Sequence, residues 1–529
     1  MSEPAESLET RKDAFFWAAI IAICVVTVFL LAPFFVEYDL SFVHPHRFEN
    51  HLPLLVIDTL WPQWSDIVRP FQEFAAGEYR ARFLTYAVIL LDLKLRLAFY
   101  AVGVLPPAFS VSWILQGLGI YLVYRVATNF CGDWTAALLS ALVYVSSVGF
   151  LSGLTMQFTP GKPLSGVIFA VVLLIMQRIV HDLPAGALLH RTRGMAKYWL
   201  WLLIFLGLLI DEVLIFLVVL VPVFFPECFL RRPSGSKDVA DMVRATAFFF
   251  VPVLAFLIFA LVVTPVITRH FYGYSFDYLS TTLGYGAGAS GAKSLIEGPY
   301  GGFSSATLVA NFFTLVGLSL VPWQISPLIS NPGAGGVLTS QAITWQELAI
   351  VLPVLIAVGW LAVRAEGQRG RYFRRTIVAA VLFVLFQSLL NGRHVPYVSG
   401  YYYGSAFSVF IALLAAFTLA ELMRFGTSLR FASVALAVAV VLVQIDNFYP
   451  LNRSWLFIHN ERMARSTHQK EMPLVAEPRP VTAAELSAIW RAWKAGTLDS
   501  YLRAHPISAG AIFLVAELRW LDHVRKNSG

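Results

Sequence analysis

The chain has 529 residues, 58% of them hydrophobic and only 13% charged, with a mean hydropathy of +0.68. Soluble domains carry about a quarter of their residues as charges, so this balance excludes a water-soluble globular enzyme and makes the bilayer the solvent. The formal charge of +7 is no nucleic-acid footprint, because the basic residues sit in short segments between apolar runs, where they set topology.

The first element is Ala14 to Val36, an uncharged run long enough to cross about 30 Å of hydrocarbon as a helix. Arg11 and Lys12 precede it, which reads as an uncleaved signal anchor with residues 1–13 in the cytoplasm. A loop at 37–82 follows, far longer than the few residues of a plain connector. It carries Glu37, Asp39, His44, His46, His51, Asp66, Glu78, Arg80 and Arg82, with Trp61, Trp64, Phe71 and Phe74 suited to interfacial helices. Phe83 to Leu105 is apolar but holds Asp92, Lys94 and Arg96. Each would cost about 2.5 to 3.5 kcal/mol at the bilayer centre, so this run is expected to lie along the outer interface or in a protein-lined cavity.

Apolar runs continue at Ala108 to Tyr124, Trp134 to Leu151, Pro163 to Gln177, Tyr198 to Ile210, Val213 to Pro226 and Ala245 to Thr268. Others are Val309 to Ser330, Leu348 to Val363, Thr376 to Leu390, Tyr401 to Ala420 and Phe431 to Ile445. The expected fold is an all-α polytopic membrane protein with about 11–13 transmembrane or partly embedded helices. Tyr198 to Pro226 reads as two short helices meeting near the outer face at Asp211 and Glu212, the alternative being a single long helix that carries the acid pair. Four basic segments are expected on the cytoplasmic side: Arg178 to Lys197, Arg231 to Lys237, Arg364 to Arg375, and Arg424 with Arg430. Helix parity then makes Val309 to Ser330 a partial span and puts the loop at 269–308 outside. The membrane domain covers 14–446. From Asn447 hydropathy collapses, and 447–529 reads as a small helical extracytoplasmic domain, with a helix at Ala483 to Lys494, leaning on the membrane domain.

Polar residues gather on the outer side. Asp39 comes three residues after the first apolar run, where partial desolvation suits a carboxylate to take a proton from a hydroxyl; the alternative is an acid that merely ends the helix. Lys162 opens an apolar run after TMQFTPG, as a functional or a snorkelling lysine. In NGRHVPYVSGYYY, Arg393 and His394 stand beside Tyr397 and its neighbours. Arg393 breaks the positive-inside pattern, which suits it to an anionic group, while the tyrosines also fit an aromatic belt. Cys24, Cys131 and Cys228 lack the spacing of a disulfide framework or metal site, and the His44-x-His46 pair is a weak metal signal. No GxxxxGK[ST], HExxH or GxSxG motif supports nucleotide, zinc-protease or serine-hydrolase chemistry.

The early acids Glu37 and Asp39 in a long outer loop, GEYRARFLTY at Gly77 to Tyr86, the short helices around Asp211 and Glu212, the RH…Y segment at Arg393 and an outer tail together resemble the GT-C superfamily of membrane glycosyltransferases. The look is that of bacterial members, which implies an inner-membrane location. The resemblance implies inverting transfer of a sugar from a polyprenyl-phosphate donor at the outer face. Asp39 would be the general base, with Asp66 the alternative. Arg393, Arg80, Arg82 and Lys162 would stabilise the leaving phosphate, and Glu37, Glu78, His394 and Tyr397 would line the substrate site. No cofactor is required and a divalent cation is optional, since arginines serve the same end; membrane lipid and the lipid-linked sugar are the expected partners, and nucleic acid is not. The adjacent acids common after the first helix in that superfamily are here separated by Tyr38. A transporter or flippase, or a noncatalytic component of envelope assembly, remains the other class open to this sequence.

Overall fold

A computed structural model describes residues 84–85, 87–88, 91, 111–155, 161–184, 187–192, 194–230, 236–272, 315–322, 345–390, 404–451 and 483–508, together with 511, 515, 518–519 and 522. Every regular element among them is helical. The membrane helices are α1 (Val111–Cys131), α2 (Trp134–Ser146), α3 (Val148–Thr155), α4 (Gly161–Asp182), α5 (Ala196–Ile210), α6 (Leu217–Phe224), α7 (Ser236–Ile258) and α8 (Thr264–Tyr272). They continue with α9 (Trp345–Arg364), α10 (Gly367–Leu390), α11 (Ser405–Arg424) and α12 (Thr427–Leu451), and α13 (Ala483–Lys494) and α14 (Leu498–Ala504) follow. Five helices among the described residues are long and apolar enough to cross a membrane.

Burial sorts these helices into a centre and a rim. The apolar window of α11 is 72% buried, against 22% for α9 and 17% for α12. Accordingly α11 touches α1, α2, α3, α4, α9, α10 and α12. The rim helices show large apolar side chains outward, Phe431 at 79% exposure on α12 and Ile356 at 62% on α9. In water that surface would be a liability; facing lipid it costs nothing. Aromatic rings fill the centre: Phe373 stacks on Phe417 at 5.2 Å, and Phe130 on Tyr372 at 4.3 Å.

Local chemistry sets the ends of the helices. Gly132, at φ +67°, closes α1, and Asp133 then caps α2 by accepting from the Thr135 and Ala136 amides at 2.9 and 3.0 Å. The run Trp134 to Leu151, expected as one span, is broken between α2 and α3. The Ser147 hydroxyl donates to the Tyr144 carbonyl at 2.7 Å and accepts from the Phe150 amide at 3.2 Å, an alternative to the helical ladder. The arginine segment at 364–375, expected as a loop, is mostly helix: the turn is Ala365 and Glu366, and Arg369, Arg371, Arg374 and Arg375 ride on the first turns of α10. Arginine is a good helix former, and Arg374 Nη1 closes the turn by donating to the Ala362 and Ala365 carbonyls at 2.9 and 3.1 Å.

Asn447, where hydropathy collapses, lies inside α12, which continues to Leu451. It is fully buried, and its Nδ2 donates to the Leu318 and Val321 carbonyls at 3.0 and 2.8 Å, ending the helical turn at 315–320. Beyond it, Ile489, Leu498, Leu502, Ile507, Val515 and Leu518 are buried apart from the cluster that joins the membrane helices. This C-terminal part builds a small core of its own, with Glu485 accepting from both the Ser508 amide and its hydroxyl at 2.7 and 2.9 Å. The expected helix at Ala483 to Lys494 is present as α13.

Candidate functional site

The two ends of the bundle are built from different chemistry. At one end the described parts of three basic segments, at Arg191, Arg369 to Arg375, and Arg424 with Arg430, engage neighbouring helices. Arg191 pairs with Asp241 at the start of α7. Arg375 donates to the Phe224 carbonyl at 2.7 Å and pairs with Glu227 at 2.9 Å, tying α10 to the end of α6. Arg369 and Arg424 both approach the buried Glu421, at 3.4 and 3.3 Å, and Arg430 Nε reaches the Met423 carbonyl at 3.4 Å. In the same region Asn129 of α1 meets Gln177 of α4 at 3.0 Å. Cys131 and Cys228 are buried, free thiols here, and burial pushes the Cys228 thiol up to about 12, so it is an inert apolar filler at neutral pH.

The opposite end holds neutral donors and close backbone contacts. The Ser405 hydroxyl donates to the Gly149 carbonyl at 2.8 Å. A Cβ on Gly149 would lie 2.6 Å from the Gly404 carbonyl carbon, so α3 and the start of α11 meet backbone to backbone. Ser146 donates to Gln444 across the break between α2 and α3, and Gln444 is fully buried.

Between these ends lies the break at Asp211. α5 has 15 residues, about 22 Å at the usual rise, so starting from headgroup depth it stops short of the far boundary of a 30 Å layer. Asp211 ends it in extended conformation, and the chain returns through the tighter turn Glu212–Phe216 and α6. The two expected short helices are therefore present, with Asp211 at their junction. Asp211 is 0% exposed, so the acid faces protein and not lipid, the usual placement of a membrane carboxylate with a function. The buried hydroxyl of Thr85 donates to the Ile210 carbonyl immediately before it. Thr85 belongs to the GEYRARFLTY segment, so a stretch three residues beyond Arg82 meets the Asp211 junction across 125 positions of sequence.

Of the residues expected to form the site, Glu37, Asp39, Asp66, Glu78, Arg80, Arg82, Arg393, His394 and Tyr397 lie outside the described residues, as do His44, His46, Asp92, Lys94 and Arg96. Lys162 stands in the first turn of α4, with its side chain outside them. The buried bonds of Thr85, Gln444 and Asn447 escaped the sequence reading. Their signal was present, as polar residues inside or beside apolar runs, but only a partner distant in sequence distinguishes an internal bond from a helix end. Among the described residues no group of His, Cys, Asp and Glu is arranged to hold a metal ion.

Helices with lipid-suited rims, a charged end and a buried acid at a mid-bundle break define the class: this is an all-α polytopic membrane protein. Compared with protein-family models, curated proteins and solved structures, the chain matches none.

Proposed function

We propose that the protein is a membrane glycosyltransferase that moves a sugar from a polyprenyl-phosphate donor to an acceptor at the end of the bundle opposite the arginines, in a bacterial inner membrane. The observation that carries this reading is the bond from Thr85 to the Ile210 carbonyl. Thr85 belongs to GEYRARFLTY and Ile210 directly precedes buried Asp211, and both stretches are part of the GT-C resemblance, which supports this reading. A lipid-linked donor presents its phosphate at headgroup depth and its sugar to water, and such a transfer needs cations for the departing phosphate and a carboxylate for the acceptor hydroxyl.

In this reading Asp39 removes the proton from the acceptor hydroxyl, the freed oxygen attacks the anomeric carbon, and the lipid phosphate leaves with the bonding pair. Arg393 holds that phosphate. The test is transfer of radiolabelled sugar in proteoliposomes supplied with polyprenyl-phosphate donors. Asp39→Asn is expected to lower transfer at least about 100-fold with donor binding retained. Arg393→Ala is expected to weaken both binding and turnover, since a charge-assisted contact acts in the ground state as well. Loss in Asp66→Asn alone would move the base to Asp66; full transfer by both carboxylate variants would end the mechanism.

A further inference from the structure

We propose that the lipid-facing edge of the seam between α5 and α7, at the arginine end, binds the phosphate headgroup of an anionic phospholipid. The charges there do not balance. Asp241 is nearly buried and receives two guanidiniums, that of Arg191 in a tight pair and that of Arg244 at 3.6 Å, with His190 Nε2 at 3.8 Å. Both guanidiniums remain largely open, Arg244 at 70% and Arg191 at 55% exposure. Lys197 brings a third cation. Its ammonium lies 5.1 Å from the Tyr198 ring and 5.9 Å from that of Phe248, and it pairs with no carboxylate among the described residues. Lys197 thus reaches across the seam to Phe248 of α7, and Arg244 stands one turn before Phe248 on the same helix face. Two turns before Arg244, Lys237 and Asp238 add one charge of each sign. The edge therefore offers cations in excess, over a floor made by Trp201 and Phe248, whose rings sit 4.4 Å apart.

Depth identifies the ligand. Lys197 is the last charged residue before the uncharged stretch from Tyr198 to Ile210, and Arg244 the last before Ala245 to Thr268. Both stand where polar sequence gives way to apolar, which is the level of lipid phosphate. Tyr198 and Trp199, at 48% and 55% exposure, are the amphipathic rings expected at that level. Charges that only set topology need to be on the correct side and nothing more. Here they come from two helices and a turn to one edge, two of them on the same carboxylate of Asp241, and guanidiniums are suited to a phosphate.

The test is native mass spectrometry of the full chain released from detergent containing equal phosphatidylglycerol and phosphatidylcholine. We expect preferential retention of phosphatidylglycerol by the parent chain and by Arg430→Gln, a cation of the same end outside the seam. Lys197→Gln with Arg244→Gln should lower that preference about 30-fold, from roughly a fivefold contribution for each cation near an anionic surface. Lys197→Arg with Arg244→Lys should restore most of it. Equal retention of phosphatidylcholine, undiminished preference in the neutralised variant, or equal loss in the charge-keeping variant would overturn the site. So would displacement of phosphatidylglycerol by equimolar polyprenyl phosphate, which would make the donor its ligand.

Discussion

The arginine end and the far end solve one problem, holding helices together where the apolar effect gives no help, by opposite means. In lipid the helices gain little from burying leucine against leucine, so packing and hydrogen bonds must do the work. At the arginine end, long cationic side chains reach carbonyls and carboxylates on neighbouring helices: Arg375 to Phe224, Arg374 to Ala362 and Ala365, and Arg369 to Glu421. Arg369 and Arg424 can do so because their guanidiniums keep contact with the aqueous border, at 26% and 59% exposure. At the far end, neutral serine, glutamine and asparagine side chains are buried outright and backbones touch, since an uncharged donor pays far less than a charge for leaving water. The contrast teaches that depth in the membrane decides which kind of bond a helix pair uses.

The sharpest way to test it is to add the same methyl group at both ends. A Cβ on Gly370 would sit 1.9 Å from the Ala365 carbonyl oxygen, a backbone atom that cannot yield. Gly370→Ala is therefore expected to cost about 4 kcal/mol or more and to reduce folded yield, measured by size-exclusion recovery and melting in detergent. At the far end Gly149→Ala meets the Gly404 backbone at 2.6 Å and should cost about 1–3 kcal/mol. A parent-like melting temperature for either would show that the close approach is relaxed in the membrane.

Polar deletions should give smaller and unequal effects. Arg369→Ala leaves Glu421 buried with Arg424 alone, an expected loss of about 1–3 kcal/mol. Gln444→Leu removes a buried amide whose Nε2 has no acceptor among its described neighbours, and Ser146 retains the Val143 carbonyl at 3.3 Å. Its effect should fall within about 1 kcal/mol of zero. A Gln444 loss larger than that of Arg369 would reverse the comparison.

The smallest effect concerns pH. Burial holds His190 below its ordinary value of 6.5, against the opposing pull of Asp241. The folded state thus favours the neutral ring more than the unfolded chain does, and stability in the turn at Leu189–Arg191 is lost as pH falls below about 6.5 toward the lowered value. Protection of the amides at residues 187–192, taken relative to their intrinsic exchange at each pH, should fall between pH 7.5 and 5.5, and His190→Gln should flatten that change. Unchanged protection would place the ring in water.

Much of the fold was legible. Hydropathy located α4, α7, α9, α11 and α12 because a bilayer demands long apolar helices, and the acid pair at Asp211 and Glu212 marked the break after α5. The basic segments stood out in the sequence, though their helical form at Arg369 to Arg375 did not. The candidate site was legible only as residue types in outer segments. Nothing local in GEYRARFLTY tells that Thr85 meets Ile210.

An all-α membrane protein and its longest apolar helices could be read from the chain alone, because these follow from transfer free energy summed along it. That α11 is central, that Asn447 lies inside α12, and that Thr85 meets the residue before Asp211 became visible only in the folded bundle. Those outcomes depend on bonds between groups far apart in sequence, such as Asn447 with Leu318 and Ser405 with Gly149. A partner brought near by folding has no local signature, since its energy exists only once both helices are in place.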